Sequence, residues 1–173
     1  RGNLDKAITF FEWAFHVCQH IESALDEIST RNNMGAVYME HQQFPEAVAC
    51  FQRSAILAQE INAYPSQILS LNNLGAAYAN IDESLLAETC YRNSLLLSQE
   101  LGDQHSVARA YNNLGALSAH LGQREEAIRY YQQAVTTSHA IGHYYRETVT
   151  LTNIASQYTQ LYQPVMAERY FEQ

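Results

Sequence analysis

The sequence predicts an all-α solenoid in which antiparallel helix pairs stack on one another. The first observation is a segment that returns every 40 residues, at 32–35, 72–75 and 112–115, with a weaker copy at 152–155. The second keeps the same period: an alanine is followed four residues later by Phe or Tyr, starting at positions 7, 47, 87, 127 and 167. A fixed period between about 20 and 50 residues is typical of stacked repeat proteins.

We predict nine helices and one array over the whole chain. The array 1–173 begins with the second helix of a partial repeat (1–22), continues with repeats 23–62, 63–102 and 103–142, and ends in a truncated repeat (143–173). Because residue 1 is not Met and lies between predicted helices, we expect the chain to be a piece of a longer protein. The predicted helices are 4–20, 23–41, 45–61, 65–81, 84–101, 104–121, 124–141, 144–161 and 164–173.

The unit 103–142 shows most clearly why each repeat is two helices. Asp103 is a good N-cap residue for the first helix, and Gly122 ends it. Glu125 and Glu126 then lie in the first turn of a second helix, where the helix dipole favours acids, and Gly142 ends that helix. Helical spacing gives the first helix one apolar stripe: Val107, Ala110, Leu114, Leu117 and Leu121.

The other units use different residues for the same purpose. Pro45 and Pro164 lie at the starts of second helices, where a missing N–H costs nothing. Asp82 to Ser84 can cap another second helix, and Asn62 takes the place of a terminal glycine. Residues that begin or end a helix therefore recur about every 20 residues, as two helices per 40-residue repeat require.

Three glycines interrupt the first helices at one register, at a cost of about 1 kcal/mol each relative to Ala. We predict that Gly35, Gly75 and Gly115 mark the crossing of the two helices in a pair, with the glycine facing the periodic alanine. Gly115 against Ala127 is one such predicted contact. The aromatic four residues after the alanine is expected to fill the space between pairs.

The charge pattern excludes some partners. The formal net charge is −8, and residues 1–103 hold 13 of the 18 acidic residues but 5 of the 10 basic ones. An acidic protein without a basic stripe is a poor nucleic-acid binder, and no apolar run is long enough to span a membrane. We expect a soluble protein whose acidic half either solvates the surface or attracts a basic partner segment.

The sequence offers little that could support catalysis or a metal. Cys18, Cys50 and Cys90 have no disulfide or metal-ligand spacing, and Cys50 and Cys90 are predicted to be core residues. His16 and His20 form an i,i+4 pair on one helical face, with Cys18 between them in sequence, but nothing nearby supplies a convincing acidic or Cys fourth ligand. We find no phosphate loop, nucleophile motif or catalytic carboxylate pair. The prediction is therefore no enzyme, no cofactor and no metal, and the unpaired cysteines favour the cytoplasm.

These residues together resemble the tetratricopeptide repeat. The matching pattern is Leu114-Gly115, then Ala127, Tyr131 and Ala134. The period of 40 residues is longer than the usual 34. In this the chain resembles the long-repeat subgroup, which includes kinesin light chains, Leu-Gly-Asn-repeat adaptors, bacterial Rap-type regulators and the repeat regions of signalling ATPases. The resemblance covers the whole chain and implies a right-handed superhelix whose first helices line a concave groove for protein partners.

The resemblance places ten candidate partner-binding residues in that groove. Paired asparagines are informative because Asn is a mediocre helix former, yet its amide offers the donors and acceptor that a peptide backbone needs. The alternative is that the asparagines bond to one another or to the next helix and hold repeats in register. The candidates are Asn32, Asn33, Asn72, Asn73, Asn80, Arg109, Asn112, Asn113, His120 and Asn153.

Two functions from different classes follow. The first is a scaffold that binds a peptide or protein segment in the groove. A carboxylate clamp of the kind found in chaperone-binding relatives is not expected, because its matching positions hold one cation, Arg109, where three are needed. The alternative is a structural or regulatory spacer, or an oligomerisation region, of a larger signalling or transcription-regulating protein. This alternative is motivated by a group of aromatic residues near the N-terminus, which predicts end-to-end self-association: Phe10, Phe11, Trp13 and Phe15.

Overall fold

The computed structural model describes residues 6, 8–11, 13, 14, 17 and 23–172, and in this part of the chain every regular element is an α-helix. The prediction of an all-α fold is confirmed. Residues 6, 8–11, 13, 14 and 17 are helical, and the helices that follow begin and end within two residues of the predicted ranges. They are α1 (Ala24–Glu40), α2 (Phe44–Glu60), α3 (Tyr64–Asn80), α4 (Ser84–Glu100), α5 (Gln104–His120), α6 (Arg124–Ala140), α7 (Tyr144–Gln160) and α8 (Pro164–Phe171).

The turns between these helices are all built alike. Three residues separate each helix from the next, and the middle one has a positive φ. This residue is glycine at 102, 122 and 142, but Gln42, Asn62, Asp82 and Tyr162 adopt the same left-handed conformation, with φ between 56° and 61°. The N–H of the third turn residue donates to the carbonyl five residues back, as Asp103 does to Ser98 at 2.9 Å. These bonds satisfy carbonyls that the helix end leaves free.

The predicted cap Asp103 is present at the start of α5, and two further caps, Ser23 and His143, were not predicted. Asp103 accepts a hydrogen bond from the backbone N–H of Ser106 at 3.1 Å, and Ser23 caps α1 in the same way. At α7 the cap is a histidine: Nδ1 of His143 accepts from the N–H of Arg146 at 3.3 Å. A capping side chain stabilises a helix by about 1 kcal/mol.

The chain divides into two compact units, residues 1–93 and 94–173. In the first unit α2 packs against both α1 and α3, and α1 also contacts α3. The core there includes the periodic aromatic Phe51, which is 1% exposed. Its neighbours Leu74 and Ala77 come from α3 and Cys90 from α4, so this aromatic does reach the next helix pair, as predicted.

In the second unit α6 packs against α5 and α7, and α8 packs against α7. Tyr131 takes the position of Phe51 and is 3% exposed. Its core neighbours Ala127 and Ile128 precede it on α6, and Ile154 comes from α7. Both units therefore bury the same register of each helix.

The mid-helix glycines have a different partner from the one expected. A Cβ built on Gly35, Gly75 or Gly115 lies 2.6 Å from the nearest ring atom of Phe51, Tyr91 or Tyr131, respectively, and its three nearest neighbours are all atoms of that ring. The prediction that glycine faces the periodic alanine is wrong. The aromatic ring lies flat against the glycine of its own helix pair, because the absence of a Cβ leaves room for the ring to approach the backbone.

Candidate partner-binding surfaces

The first asparagine of each pair is directed toward the neighbouring helices. Asn32 is 5% exposed, and its Nδ2 lies 3.2 Å from the carbonyl oxygen of Ile28, 2.7 Å from Oγ of Ser54 and 2.9 Å from Oγ of Ser70. Both hydroxyl groups can donate elsewhere, Ser54 to the carbonyl of Ile28 and Ser70 to that of Ser66. The amide of Asn32 therefore links α1, α2 and α3.

Asn72 repeats this placement on α3. It is 2% exposed, and its Nδ2 donates to the carbonyl of Ile68 at 2.9 Å. Asn32 and Asn72 were both predicted to line an open groove, but the structure places them in the interior. Buried amides are stable only when they are hydrogen-bonded. For Asn32 two partners lie on neighbouring helices, as in the register-holding alternative, whereas the bond from Asn72 to Ile68 lies within α3.

In the second unit the first asparagine is half-buried and joins two first helices. Oδ1 of Asn112 accepts from Oγ1 of Thr150 at 3.3 Å and from Nδ2 of Asn153 at 3.5 Å. The structure thus brings together two of the predicted residues, Asn112 on α5 and Asn153 on α7. Asn112 also reaches a depression between these helices, so it combines a structural bond with some accessible surface.

In the first two pairs the second asparagine is more accessible than the first, whereas Asn112 and Asn113 are both half-buried. Asn33 is exposed, and Asn73 and Asn113 are half-buried. Asn73 lines a depression of about 320 Å³, which we call the amide depression. Two alanines beside it leave the space open. Its lining residues are Ala36, Met39, Glu40, Phe51, Asn73 and Ala76.

The other predicted residues lie along the same helices. Asn80 is exposed near the end of α3, and its Nδ2 donates to the carbonyl of Ala76 within its own helix at 2.8 Å. His120 is exposed at the last position of α5. Arg109 is half-buried in the first half of α5. Its pKa is lowered mainly by burial and to a smaller extent by repulsion from the Arg146 guanidinium, while Asp103 opposes the shift.

Arg146 is the residue that the sequence reasoning missed. It lines a second depression, of about 160 Å³, together with Asn112, His143, Tyr145 and Val149, and we call this the arginine depression. Position 146 corresponds to Asp26, Ser66 and Ser106 in the other repeats, so no periodic pattern marks it. The available signal was its spacing: it precedes the candidate residue Asn153 by seven, which places both on one helical face.

The described residues contain no group of three or more His, Cys, Asp and Glu that could hold a metal. The pair His16 and His20, with Cys18, lies outside those residues. His139 makes an ion pair with Glu147, with Nδ1 and Oε1 3.1 Å apart. None of the helices in the described ranges combines the length and apolar character needed to cross a bilayer.

Two family models, both described as tetratricopeptide repeat, match the chain, one over residues 66–138 and the other over residues 28–62. Together they cover more than half of it. Comparison with curated proteins gave no sequence match.

Solved structures give the same fold at low sequence identity. The apo form of RapI superposes with a TM-score of 0.86 at 18% identity, over 99% of this chain and 48% of that one. BtubC (BKLC) from P. vanneervenii gives a TM-score of 0.82 at 19% identity, over 98% and 69% of the two chains. The Rap conjugation gene regulator of plasmid pLS20, in complex with the Phr* peptide, gives 0.76 at 18% identity, over 99% and 47%. The chain spans about half the length of the two Rap proteins.

Proposed function

Because the chain belongs to the tetratricopeptide repeat family, we propose that it is a protein–protein interaction module whose first helices bind a peptide segment of another protein. The relative solved with the Phr* peptide supports a peptide as the type of partner. We propose a binding role rather than a catalytic one. A cytoplasmic location is part of the proposal, on the strength of cysteines that lack disulfide spacing.

The amide depression is the observation that carries this proposal. Asn73 presents a side-chain amide there, and Ala36 and Ala76 are too small to fill the space. The volume of about 320 Å³ is at the lower end of ligand pockets, and suits one or two side chains of a bound peptide. In this arrangement the amide of Asn73 bonds to the peptide backbone, which has one donor and one acceptor per residue.

Glu40 at the edge of the same depression adds a preference. Its carboxylate is exposed, and the unit to which it belongs is acidic. A Lys or Arg side chain of the peptide is therefore favoured near Glu40. An exposed ion pair adds only about 0.2–1 kcal/mol, so it biases the choice of peptide more than it strengthens binding.

The test is a selection of displayed peptides on the immobilised protein. The parent, Asn73→Ala and Ala36→Arg are compared, the last because its long side chain fills the depression. Asn93→Ala is the matched control, since Asn93 is an exposed amide on the second helix α4. We expect peptides to be enriched on the parent and the control and lost on the two depression variants, with helicity unchanged in all four. Peptides that bind all four equally would refute the assignment of this depression.

A second candidate function is self-association through the ends, for which the described residues give a specific observation. Near the C-terminus Tyr162 is 93% exposed, Val165 77% and Phe171 61%. Tyr162 and Phe171 line a depression of about 620 Å³. At the other end Phe10 is 71% and Trp13 68% exposed. Contiguous exposed apolar residues mark interaction surfaces.

Light scattering over a range of concentrations tests this second candidate. We expect the parent to associate as its concentration rises and Val165→Glu to remain monomeric. Leu85→Glu is the control, because Leu85 is 80% exposed on α4, away from the termini in sequence. A monomeric parent at high concentration would contradict end-to-end association.

A further inference from the structure

Two arginines lie on the first helices of the second unit, and among the described residues neither forms an ion pair with a carboxylate. Arg109 comes from α5 and Arg146 from the first turn of α7, and the bonds from Thr150 and Asn153 to Asn112 hold these helices together. Burial lowers the pKa of Arg109, repulsion from Arg146 lowers it further, and Asp103 opposes the shift. Placing two like charges together weakens a fold unless an anion joins them.

The guanidinium of Arg146 has a buried donor that nothing accepts. Its Nε is enclosed, and no hydrogen-bond acceptor lies within reach among the residues that the structure describes. A buried N–H without an acceptor is costly, and more so when it carries charge. The same side chain lines the arginine depression, so other atoms of Arg146 border the open space although Nε does not.

The neighbouring acidic groups are engaged elsewhere. Asp103 caps α5 by accepting from Ser106, and Glu147 pairs with His139. In the described parts of this unit, no carboxylate forms an ion pair with Arg109 or Arg146. The nearby His143 accepts from the N–H of Arg146 at Nδ1 and contacts the ring of His105, with centroids 5.7 Å apart. The depression thus presents the cationic Arg146 from α7 and the amide of Asn112 from α5, and none of the described residues that line it carries a carboxylate.

We propose that the arginine depression binds a carboxylate of the partner peptide, held by Arg146. This proposal rests on the proposed function, and it specifies that the partner peptide carries a carboxylate where it meets the first helix α7. An arginine presents two parallel N–H groups that match the two oxygens of a carboxylate. Arg146 lies outside the positions of the three-cation clamp, and the other repeats hold Asp26, Ser66 and Ser106 in its place, so the site occurs in this repeat alone.

A carboxylate has two sources in a peptide, an Asp or Glu side chain and the C-terminus. Two versions of one peptide library are therefore selected on the protein. The peptides of one version have amidated C-termini, and those of the other have free C-termini. A side-chain carboxylate predicts Asp or Glu at a fixed position in both libraries. A C-terminal carboxylate predicts enrichment from the free-acid library only.

Enriched peptides are then measured on variants. We expect Arg146→Gln to weaken binding roughly ten- to a hundredfold, the range for a hydrogen-bonded charge. Replacing the peptide's carboxylate by an amide should weaken binding to the parent protein by the same factor. The amide peptide should then lose little further affinity when it is measured on Arg146→Gln. Arg129→Gln is the control, since Arg129 is an exposed arginine on the second helix α6.

A direct probe separates this site from the proposed function. The Nε–Hε resonance of Arg146 is followed by NMR while N-acetylglutamate α-amide or N-acetylglutamine α-amide is added. We expect a shift with the glutamate compound only. Peptides enriched without any preference for acids, or an acid preference that survives in Arg109→Gln/Arg146→Gln, would overturn the carboxylate site and leave the proposed function standing. If the resonance shifts but no peptide is enriched, the site stands and the peptide-binding function falls. If neither occurs, both fall.

Discussion

The contact between Gly115 and Tyr131 makes the sharpest prediction about the fold. A Cβ at position 115 lies 2.6 Å from Cδ1 of Tyr131 and 2.7 Å from Cε1, whereas non-bonded carbons prefer about 3.5–4.0 Å. The ring would have to withdraw by about 1 Å. It is 3% exposed, with Ile128 and Ile154 in the same cluster, so it has little room to move.

The expected effect of Gly115→Ala is the difference between two opposing terms. Overpacking a core typically costs about 1–3 kcal/mol, and Ala in place of a mid-helix Gly stabilises the helix by about 1 kcal/mol. We expect a net loss of about 0–2 kcal/mol in the opening free energy of α5 and α6. Native-state hydrogen exchange measures it locally, which suits a repeat protein whose units need not unfold together.

Two further variants isolate the steric term. In a Tyr131→Ala background the ring is gone, so Gly115→Ala should stabilise the protein by about 1 kcal/mol through helix propensity alone. Ala155→Gly, at the same register of α7, should destabilise it by at least that amount. The reasoning is refuted if Gly115→Ala stabilises the parent as much as it stabilises the Tyr131→Ala protein.

The remaining predictions concern single side chains. Burial raises the pKa of the Cys90 thiol to about 11, so its thiolate fraction at pH 8 is roughly a hundredfold below that of an ordinary thiol; alkylation followed by peptide mapping should show it unmodified until urea is added. Asn32→Ala should lower the free energy of unfolding by about 1–3 kcal/mol, whereas the exposed neighbour Asn33→Ala should change it by less than about 0.5 kcal/mol. Burial opposes ionisation of Asp103, but hydrogen bonds from Ser106 outweigh it and hold the pKa below 3.8. Asp103→Ala should therefore cost about 1 kcal/mol at neutral pH, and urea titrations should show the difference fading as the pH falls from about 4 through the lower folded-state pKa. Arg146→Met keeps the aliphatic stem and removes the unpartnered Nε, so its melting temperature should equal or exceed that of the parent.

The repeat pattern was enough to predict the fold class and the helix ends. Gly102, Gly122 and Gly142 mark turns because glycine adopts a positive φ without strain. The same turn at Gln42 and Tyr162 carries no such mark. Those two turns were placed from the 40-residue period together with Pro45 and Pro164, which mark the starts of the helices that follow.

The site was less accessible to sequence reasoning, and Asn32 and Asn33 show why. The two residues are chemically identical, but adjacent positions on a helix differ by about 100° in direction. Asn32 follows the buried Ile28 by four and precedes the buried Gly35 by three, so it belongs to the buried stripe, while Asn33 is exposed. A repeated motif thus mixed one packing residue with one surface residue.

Arg146 illustrates the opposite limit. A reading based on repeats favours what recurs, and this arginine occurs once. Its proximity to Arg109 depends on the packing of α7 beside α5, which a linear pattern does not contain. The glycine–aromatic contact is similar, since the period fixes the register of both residues but not the direction of the ring.

Mapping a selected peptide onto the protein tests the central claim most directly. Backbone amide shifts would be recorded by NMR for the parent with the most enriched peptide. We predict that the perturbed amides cluster on first helices around the amide depression, at Ala36, Glu40, Asn73 and Ala76. Perturbations confined to the second helices, or to residues 164–171, would contradict a peptide-binding surface on the first helices.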